Sequence, residues 1–177
     1  MVTAAAADRF LAAPLLAEAD AASRRAVLEV LSEEHAPAGA VLLEQGKPND
    51  RIAFLIEGTV SVVRSYPDGR KENVATLTAP SVFGETSFFR PTPAIVSVRA
   101  NSPVWLLTLD HPAHERLRRE NLKAAEQLAV AAARVLSERF DMLDKRISDY
   151  MAQHPEGHPR ATEWSNFRAR LFEGATI

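Results

Sequence analysis

Between residues 40 and 109 the chain alternates short β-type segments with clusters of turn residues, and this alternation restricts the fold more than any other feature. Asp68 and Gly69 separate two of these segments as in a tight hairpin, whose central residues must tolerate positive φ. Strands joined by such short turns pair antiparallel, so the region predicts an antiparallel barrel or sandwich. The predicted strands are Val41–Leu43, Ile52–Ile56, Val60–Tyr66, Val74–Leu77, Ile95–Ala100 and Val104–Leu109.

Helical patterns flank the predicted strands on both sides. Apolar residues recur at helical spacing among charges between residues 8 and 34, which predicts short helices. A second helical region follows Asp110, a natural N-cap, and continues from about Ala113 to about Gln153. The expected divisions are N-terminal helices packed on the barrel (1–35), a β-barrel (36–110), C-terminal helices (111–153) and a tail with a short amphipathic helix (154–177).

The composition excludes several kinds of site and partner. Cysteine is absent, which removes disulfides, thiolate metal sites and thiol nucleophiles. The formal net charge is −2, from 21 Lys and Arg against 23 Asp and Glu, so nothing in the bulk charge favours nucleic acid or an anionic membrane. The apolar run at the N-terminus is too short for a signal peptide, and charges interrupt every longer run. We therefore expect a cytoplasmic protein that binds neither nucleic acid nor membrane.

Three motifs in the β-rich region resemble those of one known family. The run Val82–Phe89 follows a predicted hairpin, Leu43–Gly46 precedes a turn, and Phe54–Val60 crosses a tight strand connection. In this order and spacing they resemble the cyclic nucleotide-binding domain of Crp/Fnr-like regulators, which include catabolite activator protein, and of kinase regulatory subunits. The resemblance covers about residues 10–150. It implies a mainly β fold with flanking helices: an antiparallel jelly-roll-type barrel with short N-terminal helices and a long C-terminal dimerisation helix.

The resemblance also implies which residues contact a ligand, most of them within the cassette-like segment 82–94. In the family this segment holds the cyclic phosphate against backbone N–H groups at the start of a short helix. The corresponding residues are Gly84, which lets the backbone approach the phosphate, Glu85, which accepts the ribose 2′-hydroxyl, Thr86 and Ser87 in the same turn, and Ser97, whose hydroxyl can contact the base.

The chain departs from the family pattern at Ala94, which occupies the position of the Arg that pairs with the phosphate. Ile95 and Val96 follow where small residues are usual, so we expect a pocket that is bulkier as well as less polar. Without the arginine, the phosphate loses its full countercharge. We therefore predict that cyclic AMP binds no tighter than roughly 100 μM.

Three functional hypotheses remain open at this stage. The leading one is a stand-alone regulatory module, signalling through protein contacts, that has lost or altered the usual nucleotide chemistry. The second is a receptor for cAMP, cGMP or a cyclic dinucleotide that uses Glu85 with a substitute arginine, either Arg90 in the cassette loop or Arg139 beside Phe140 in the long helix. The third is a structural dimerisation protein, in which Glu85 only caps the amides of its own helix.

A seven-residue recurrence along the C-terminal helix predicts a homodimer through a coiled-coil seam. A second apolar line, Leu128, Val135 and Met142, lies about 100° round the helix and is expected to cover the barrel. Arg139 flanks the seam and requires a partner such as Asp144. The predicted interface consists of Leu122, Ala129, Ala132, Leu136, Phe140, Leu143, Ile147 and Tyr150.

The residues after the long helix are expected to form an appendage. Thr162–Glu173 is predicted as a helix that packs on its own barrel or the sister subunit, or docks an effector protein. Because a DNA-reading module needs roughly 50 residues or more, we expect none in Met151–Ile177. Deletion of Pro159–Ile177 should leave the barrel folded. The apolar residues of the predicted tail helix are Trp164, Phe167, Leu171 and Phe172.

Motifs for catalysis or metal binding are not evident in the sequence. His111 and His114 have a zinc-ligand spacing, but no third ligand lies close in sequence, so we expect both at the surface. The chain has neither a nucleophile elbow nor a glycine-rich phosphate or dinucleotide loop. We therefore expect a protein that is not an enzyme and holds no metal.

Overall fold

A computed structural model describes residues 2–90 and 92–153 of the 177-residue chain. Backbone contacts divide the chain into two units, residues 1–136 and residues 137–177. The helices are α1 (Ala4–Ala12), α2 (Ala21–Val30), α3 (Glu85–Phe89), α4 (His111–Glu120) and α5 (Leu122–Gln153), with a 3-10 helix at Pro14–Leu16. The strands are β1 (Ser32–Ala36), β2 (Val41–Leu43), β3 (Arg51–Glu57), β4 (Thr59–Ser65), β5 (Lys71–Thr78), β6 (Ser81–Phe83), β7 (Ser97–Ala100) and β8 (Val104–Asp110).

The eight strands form two antiparallel four-stranded sheets flanked by helices, which confirms the predicted fold class. One sheet has the order β1-β8-β3-β6 and the other the order β2-β7-β4-β5. Most neighbouring strands are distant in sequence, as in a double-sheet jelly roll. The sequence predicts six strands in this region, and all six correspond to observed strands: Val41–Leu43 has the predicted ends, and the other five differ at one or both ends.

Strand β3 separates two apolar clusters, because its side chains alternate between the two faces of its sheet. Ile52, Phe54 and Ile56 face the helices, where they join α1, α2, α4 and the first half of α5 in one core. Ala53 and Leu55 face the second sheet and belong to the core between the sheets. Burial on both faces explains why this strand is a continuous apolar run in the sequence.

Strands β1 and β6 were not predicted, and β1 lies mostly within the residues assigned to N-terminal helices. Its sequence, Ser32–Ala36, is largely polar, and it pairs with β8 alone at the edge of its sheet. Edge strands are often polar, so an apolar alternation does not reveal them. The strand predicted to begin at Ile95 begins at Ser97 instead.

The hairpin predicted at Asp68 and Gly69 joins β4 to β5, but its loop is longer than a two-residue turn. Ser65 pairs with Lys71, and Tyr66 donates its N–H to the carbonyl oxygen of Arg70 at 2.9 Å. Gly69 has positive φ, at 85°, whereas Asp68 does not. The loop therefore uses glycine at a single left-handed position, as three-residue hairpin loops do.

The C-terminal helical region, predicted as helices within residues 111–153, consists of two helices, with a break that the sequence analysis did not place. Asn121 interrupts it with a non-helical backbone, at φ −149° and ψ 79°. Its N–H donates to the carbonyl oxygen of Leu117 at 2.7 Å, and its side-chain Oδ1 accepts the N–H of Ala124 at 3.0 Å. Asn121 thus ends α4 and caps α5, which explains why apolar periodicity alone did not reveal the break.

The apolar line expected to cover the barrel does so over only part of its length. Leu128 is fully buried in the helix-side core, and Val135 packs against that core. Met142 belongs to the second unit and is 54% exposed. Among the described helices, none is both long and apolar enough to cross a membrane. The predicted tail helix Thr162–Glu173 lies outside the described residues.

Candidate functional site

The segment that resembles a phosphate-binding cassette is a tight turn followed by one short helix. Strand β6 ends at Phe83, Gly84 adopts a left-handed backbone with φ 89°, and α3 begins at Glu85. A Cβ atom on Gly84 would lie 2.7 Å from the carbonyl oxygen of Arg51, closer than real Cβ atoms approach. Backbone geometry alone therefore requires glycine at this position.

Asn49 holds this turn in place from the loop before β3, a role that was not predicted. Its Nδ2 atom lies 2.9 Å from the carbonyl oxygen of Gly84, 2.8 Å from that of Arg51 and 3.1 Å from Oγ of Ser87. These contacts join the β2–β3 loop to the cassette. The sequence signal was only an asparagine in a predicted turn, and its partner Gly84 is 35 positions away.

Glu85 is the first residue of α3 and is only 3% exposed. The hydroxyl of Thr86 is 3.4 Å from its Oε1 atom. A carboxylate in the first turn of a helix is stabilised by backbone N–H groups that have no partner inside the helix. This position is compatible with both predicted roles of Glu85, namely a ribose ligand and a cap.

Ala94 is buried, at 4% exposure, and its main chain is bonded on both sides to the loop before β3. Its N–H donates to the carbonyl oxygen of Lys47 at 2.9 Å, and its carbonyl accepts the N–H of Gly46 at 2.8 Å. Ile95 is 57% exposed and Val96 is half-buried. Of the two bulky residues expected in the pocket wall, Val96 is partly covered and Ile95 is largely in solvent.

The two arginines considered as substitutes lie in different parts of the chain. Arg90 is exposed at the C-terminal end of α3, about 7.5 Å along the helix axis from Glu85. Arg139 is half-buried in α5, beside the exposed Phe140, and both belong to the second unit. The turn thus brings together Gly84, Glu85, Thr86 and Ser87 but places Arg90 at the opposite end of its helix.

The hydroxyl of Ser97, predicted to contact a base, accepts the N–H of Gln45 at 3.0 Å. The Gln45 side chain also joins the edge of β4: its Nε2 donates to the carbonyl of Ser65 at 2.9 Å, and its Oε1 accepts the N–H of Ser65 at 2.7 Å. Gln45 therefore connects the loop before β3 to both β4 and β7. This role was not predicted, because its partners lie 20 and 52 positions away.

Most residues of the predicted dimer seam are exposed along α5. Ala132 is buried within the chain, at 7% exposure, so it offers little surface to a second copy. Leu136 and Ile147 are half-buried. The exposed members of the seam are Leu122, Ala129, Phe140, Leu143 and Tyr150.

His111 and His114, expected at the surface, are only partly exposed. Both are half-buried in α4, where they pack against aromatic rings of α3. Burial lowers the pKa of His114 from its usual value of 6.5. Within residues 2–90 and 92–153, no group of three or more His, Asp or Glu side chains is placed to hold a metal ion.

Comparison with known proteins identifies the fold and its relatives. The family model "Cyclic nucleotide-binding domain" matches residues 33–121. The solved cyclic nucleotide-binding domain from Methylobacillus flagellatus has a TM-score of 0.74 at 21% identity, covering 81% of this chain and 83% of that chain. The N-terminal domain of a transcriptional regulator from Streptomyces coelicolor has a TM-score of 0.65 at 30% identity, covering 77% and 95% of the two chains.

Among curated proteins, the CRP-like cAMP-activated global transcriptional regulator of Mycobacterium tuberculosis is 33% identical over 114 residues, covering 64% of this chain. The chain spans 49% of the length of that relative. Glutaminase 1 of Bradyrhizobium diazoefficiens is 30% identical over 109 residues, which make up 17% of that enzyme. The family model covers half of the chain, and its range contains both the glycine turn and the α3 cassette, so the chain belongs to the cyclic nucleotide-binding domain family.

Proposed function

We propose that the chain is a non-enzymatic regulatory module of the cyclic nucleotide-binding fold whose pocket binds cyclic nucleotides weakly. The observation that carries the proposal is Ala94, which is buried and bonded to Gly46 and Lys47 at the position where the family pattern has its phosphate-binding arginine. The relatives named as regulators support a signalling role, and the glutaminase shares with this chain only a small part of its length.

The expected loss of affinity follows from the charge of the ligand. A cyclic phosphate diester carries one negative charge, which an arginine neutralises with charge-assisted hydrogen bonds. Removal of one partner from a buried charge pair costs about 2–5 kcal/mol, which weakens binding by roughly 30-fold or more. Lys47 contributes its main-chain carbonyl oxygen to Ala94, and a carbonyl oxygen repels an anion.

A second candidate function is a genuine receptor for cAMP, cGMP or a cyclic dinucleotide. Glu85 favours it, because a buried carboxylate in the first turn of α3 is where the family accepts a ribose hydroxyl. This candidate requires a countercharge from Arg90 or Arg139. Arg90 is exposed at the C-terminal end of α3, so its side chain would have to extend back along the helix toward Glu85.

We further propose that the module acts as a parallel homodimer through α5. From Leu136 to Tyr150 the apolar residues recur at alternating spacings of four and three, the pattern of a two-stranded coiled coil. In such a coil Arg139 of one helix flanks Asp144 of the other, five positions further along, with opposite charge. A purely structural dimer would use the same seam. An effector protein that docks on Trp164 and its neighbours in the tail would receive the signal.

Calorimetric titration tests the pocket. Wild-type protein, titrated with cAMP, cGMP and a cyclic dinucleotide, should bind none of them more tightly than roughly 100 μM. The double variant Ala94→Arg, Ile95→Ala should recover measurable binding if Gly84 and Glu85 still form a competent cassette. Low-micromolar binding by the wild type would overturn the proposal, and Arg90→Ala should then abolish that binding. If neither protein binds, Glu85 is assigned as a structural cap.

A further inference from the structure

Four aromatic rings connect the cassette helix α3 to the first turn of α4. Phe88 stacks on His111, with ring centroids 4.2 Å apart and an interplanar angle of 6°. His114 meets Phe88 at 5.5 Å and Phe89 at 5.9 Å, both edge to face. We call these four residues the α3–α4 joint. Because Phe88 is almost completely buried and Phe89 is more than one-third exposed, the joint reaches from the core to the surface.

The joint lies between the candidate pocket and the helical part of the chain. Asp110 caps α4 by accepting the N–H of Ala113 at 2.8 Å, which fixes the first turn of α4 at the end of β8. On the α3 side, the N–H of Phe88 donates to the carbonyl oxygen of Gly84 at 3.1 Å. A displacement of the Phe88 main chain would therefore strain or break its hydrogen bond to Gly84 in the cassette turn.

The charged neighbours of His114 act mainly from its own helix. Burial is the largest cause of its lowered pKa; Glu115 opposes the shift, while Arg118 and His111 reinforce it. The α3 side contributes the rings of Phe88 and Phe89, whose weak cation–π and N–H···π attraction replaces little of the hydration that an imidazolium loses. On the α2 side of α4, Arg116 donates to the main-chain carbonyl of Glu29, and Leu117 is in the core.

We propose that the α3–α4 joint is a proton-sensitive contact, in which neutral His114 holds the cassette helix against α4 and protonated His114 releases it. An imidazolium requires hydration, and the edge-to-face packing on two phenyl rings removes water from it. Protonation is therefore accommodated by separation of His114 from Phe88 and Phe89. The proposal concerns α3 itself and holds whether or not a nucleotide binds in the pocket.

The direction of the pH effect follows from proton linkage. In the unfolded chain His114 titrates near its ordinary value of 6.5, and in the folded chain it titrates lower. The unfolded or released state therefore binds the proton more readily. The contact of His114 with Phe88 and Phe89 is therefore fully formed at a pH above the ordinary pKa of histidine. It weakens as the pH falls below that pKa and through the lower pKa of the folded state.

Nuclear magnetic resonance of the full chain, isotope-labelled and titrated from roughly pH 8 to pH 5, tests the proposal directly. We expect the His114 ring to titrate below 6.5 and the ring signals of Phe88 and Phe89 to move with the same midpoint. His35 is a matched control: it is exposed and stacks on Trp105 at 5.0 Å on another part of the fold. The variant His35→Gln should show the same pH dependence of the two phenylalanine signals as the wild type.

A variant provides the second measurement. His114→Phe keeps an aromatic ring but cannot be protonated. Between about pH 7.5 and about pH 5.5, the fall in the urea midpoint of this variant should be at most about half of the fall seen in the wild type. If the variant does not fold, the wild-type titration still decides. The proposal is wrong if His114 titrates at or above its ordinary value, or if the Phe88 and Phe89 signals stay constant over the titration.

Discussion

The main-chain N–H of Ala94 donates to the carbonyl oxygen of Lys47 at 2.9 Å, so the residue in the arginine position is bonded to the loop before β3. With 4% exposure, Ala94 leaves little room for a longer side chain. The packing around Ala94 therefore also hinders the introduction of an arginine at this position. A repaired pocket must displace part of this loop.

Ala94→Arg by itself should destabilise the protein by about 1–3 kcal/mol, because a large side chain must enter a packed position. Urea denaturation measures this free energy of unfolding. Ile95→Ala is the control: its side chain is 57% exposed, and its replacement should change stability by no more than about 0.5 kcal/mol. A neutral Ala94→Arg would mean that the position opens readily to solvent, and the stability of the double variant must be known before its calorimetry is interpreted.

Asn49→Ala should loosen the cassette without a ligand being present. The change removes contacts to Gly84, Arg51 and Ser87, and the loss of a buried donor to these groups costs about 1–3 kcal/mol. Hydrogen exchange should rise most in the peptide that contains residues 84–89. Asn101→Ala removes one exposed bond, to Ser61, and should leave that peptide unchanged. Equal exchange in both variants would show that Asn49 does not position the turn.

Gly58→Ala should be much more destabilising than Gly69→Ala, although both glycines have positive φ. A Cβ on Gly58 would lie 2.5 Å from the carbonyl oxygen of Pro103, whereas one on Gly69 has nothing within 4 Å. We expect about 1 kcal/mol for Gly69→Ala, from backbone strain alone, and about 3 kcal/mol or more for Gly58→Ala. Thermal unfolding compares the two. Similar losses of stability in the two variants would show that backbone strain, and not the close contact between Gly58 and Pro103, causes the destabilisation.

Leu136→Glu should weaken self-association by roughly 100-fold, because a dimer would bury two carboxylates at the centre of the seam. Sedimentation over a micromolar concentration range measures this. Met142→Glu is the control, since Met142 is 54% exposed and lies about 100° round the helix from the seam. A wild-type protein that sediments as a monomer at micromolar concentration would remove the dimer proposal, whatever the variants do.

The contribution of Asp20 to stability should disappear in acid. Its carboxylate accepts hydrogen bonds from the N–H and the hydroxyl of Ser23 and pairs with Lys123 at 3.0 Å. The bond from the Ser23 N–H is the largest cause of a pKa well below the ordinary aspartate value of 3.8. Because the pKa of Asp20 is lower in the folded than in the unfolded chain, its carboxylate stabilises the protein at a pH above the ordinary pKa. This stabilisation is lost as the pH falls through the pKa of the folded state. The urea midpoint of the wild type should exceed that of Asp20→Asn at neutral pH, and the difference should shrink below about pH 4. A difference that is constant with pH would contradict this role.

The sequence was sufficient wherever a local rule decides the structure. The apolar run of β3 predicts a strand because any strand buried on both faces must be apolar throughout. The left-handed turn at Gly84 and the helix cap at Asp110 follow from residue types that favour those backbone conformations. The family motifs add the order of these features, and with it the fold class and the position of the cassette.

Tertiary structure alone decided the features that depend on distant segments. The polar segment β1 is a strand because it pairs with the edge of β8. His111 and His114 are half-buried because α3, more than 20 positions earlier, covers them. The main chain of Ala94 is fixed by a bond to Lys47, which lies 47 positions before it in the sequence. Burial and hydrogen-bond partners are properties of the assembled chain, so no local pattern of residues contains them.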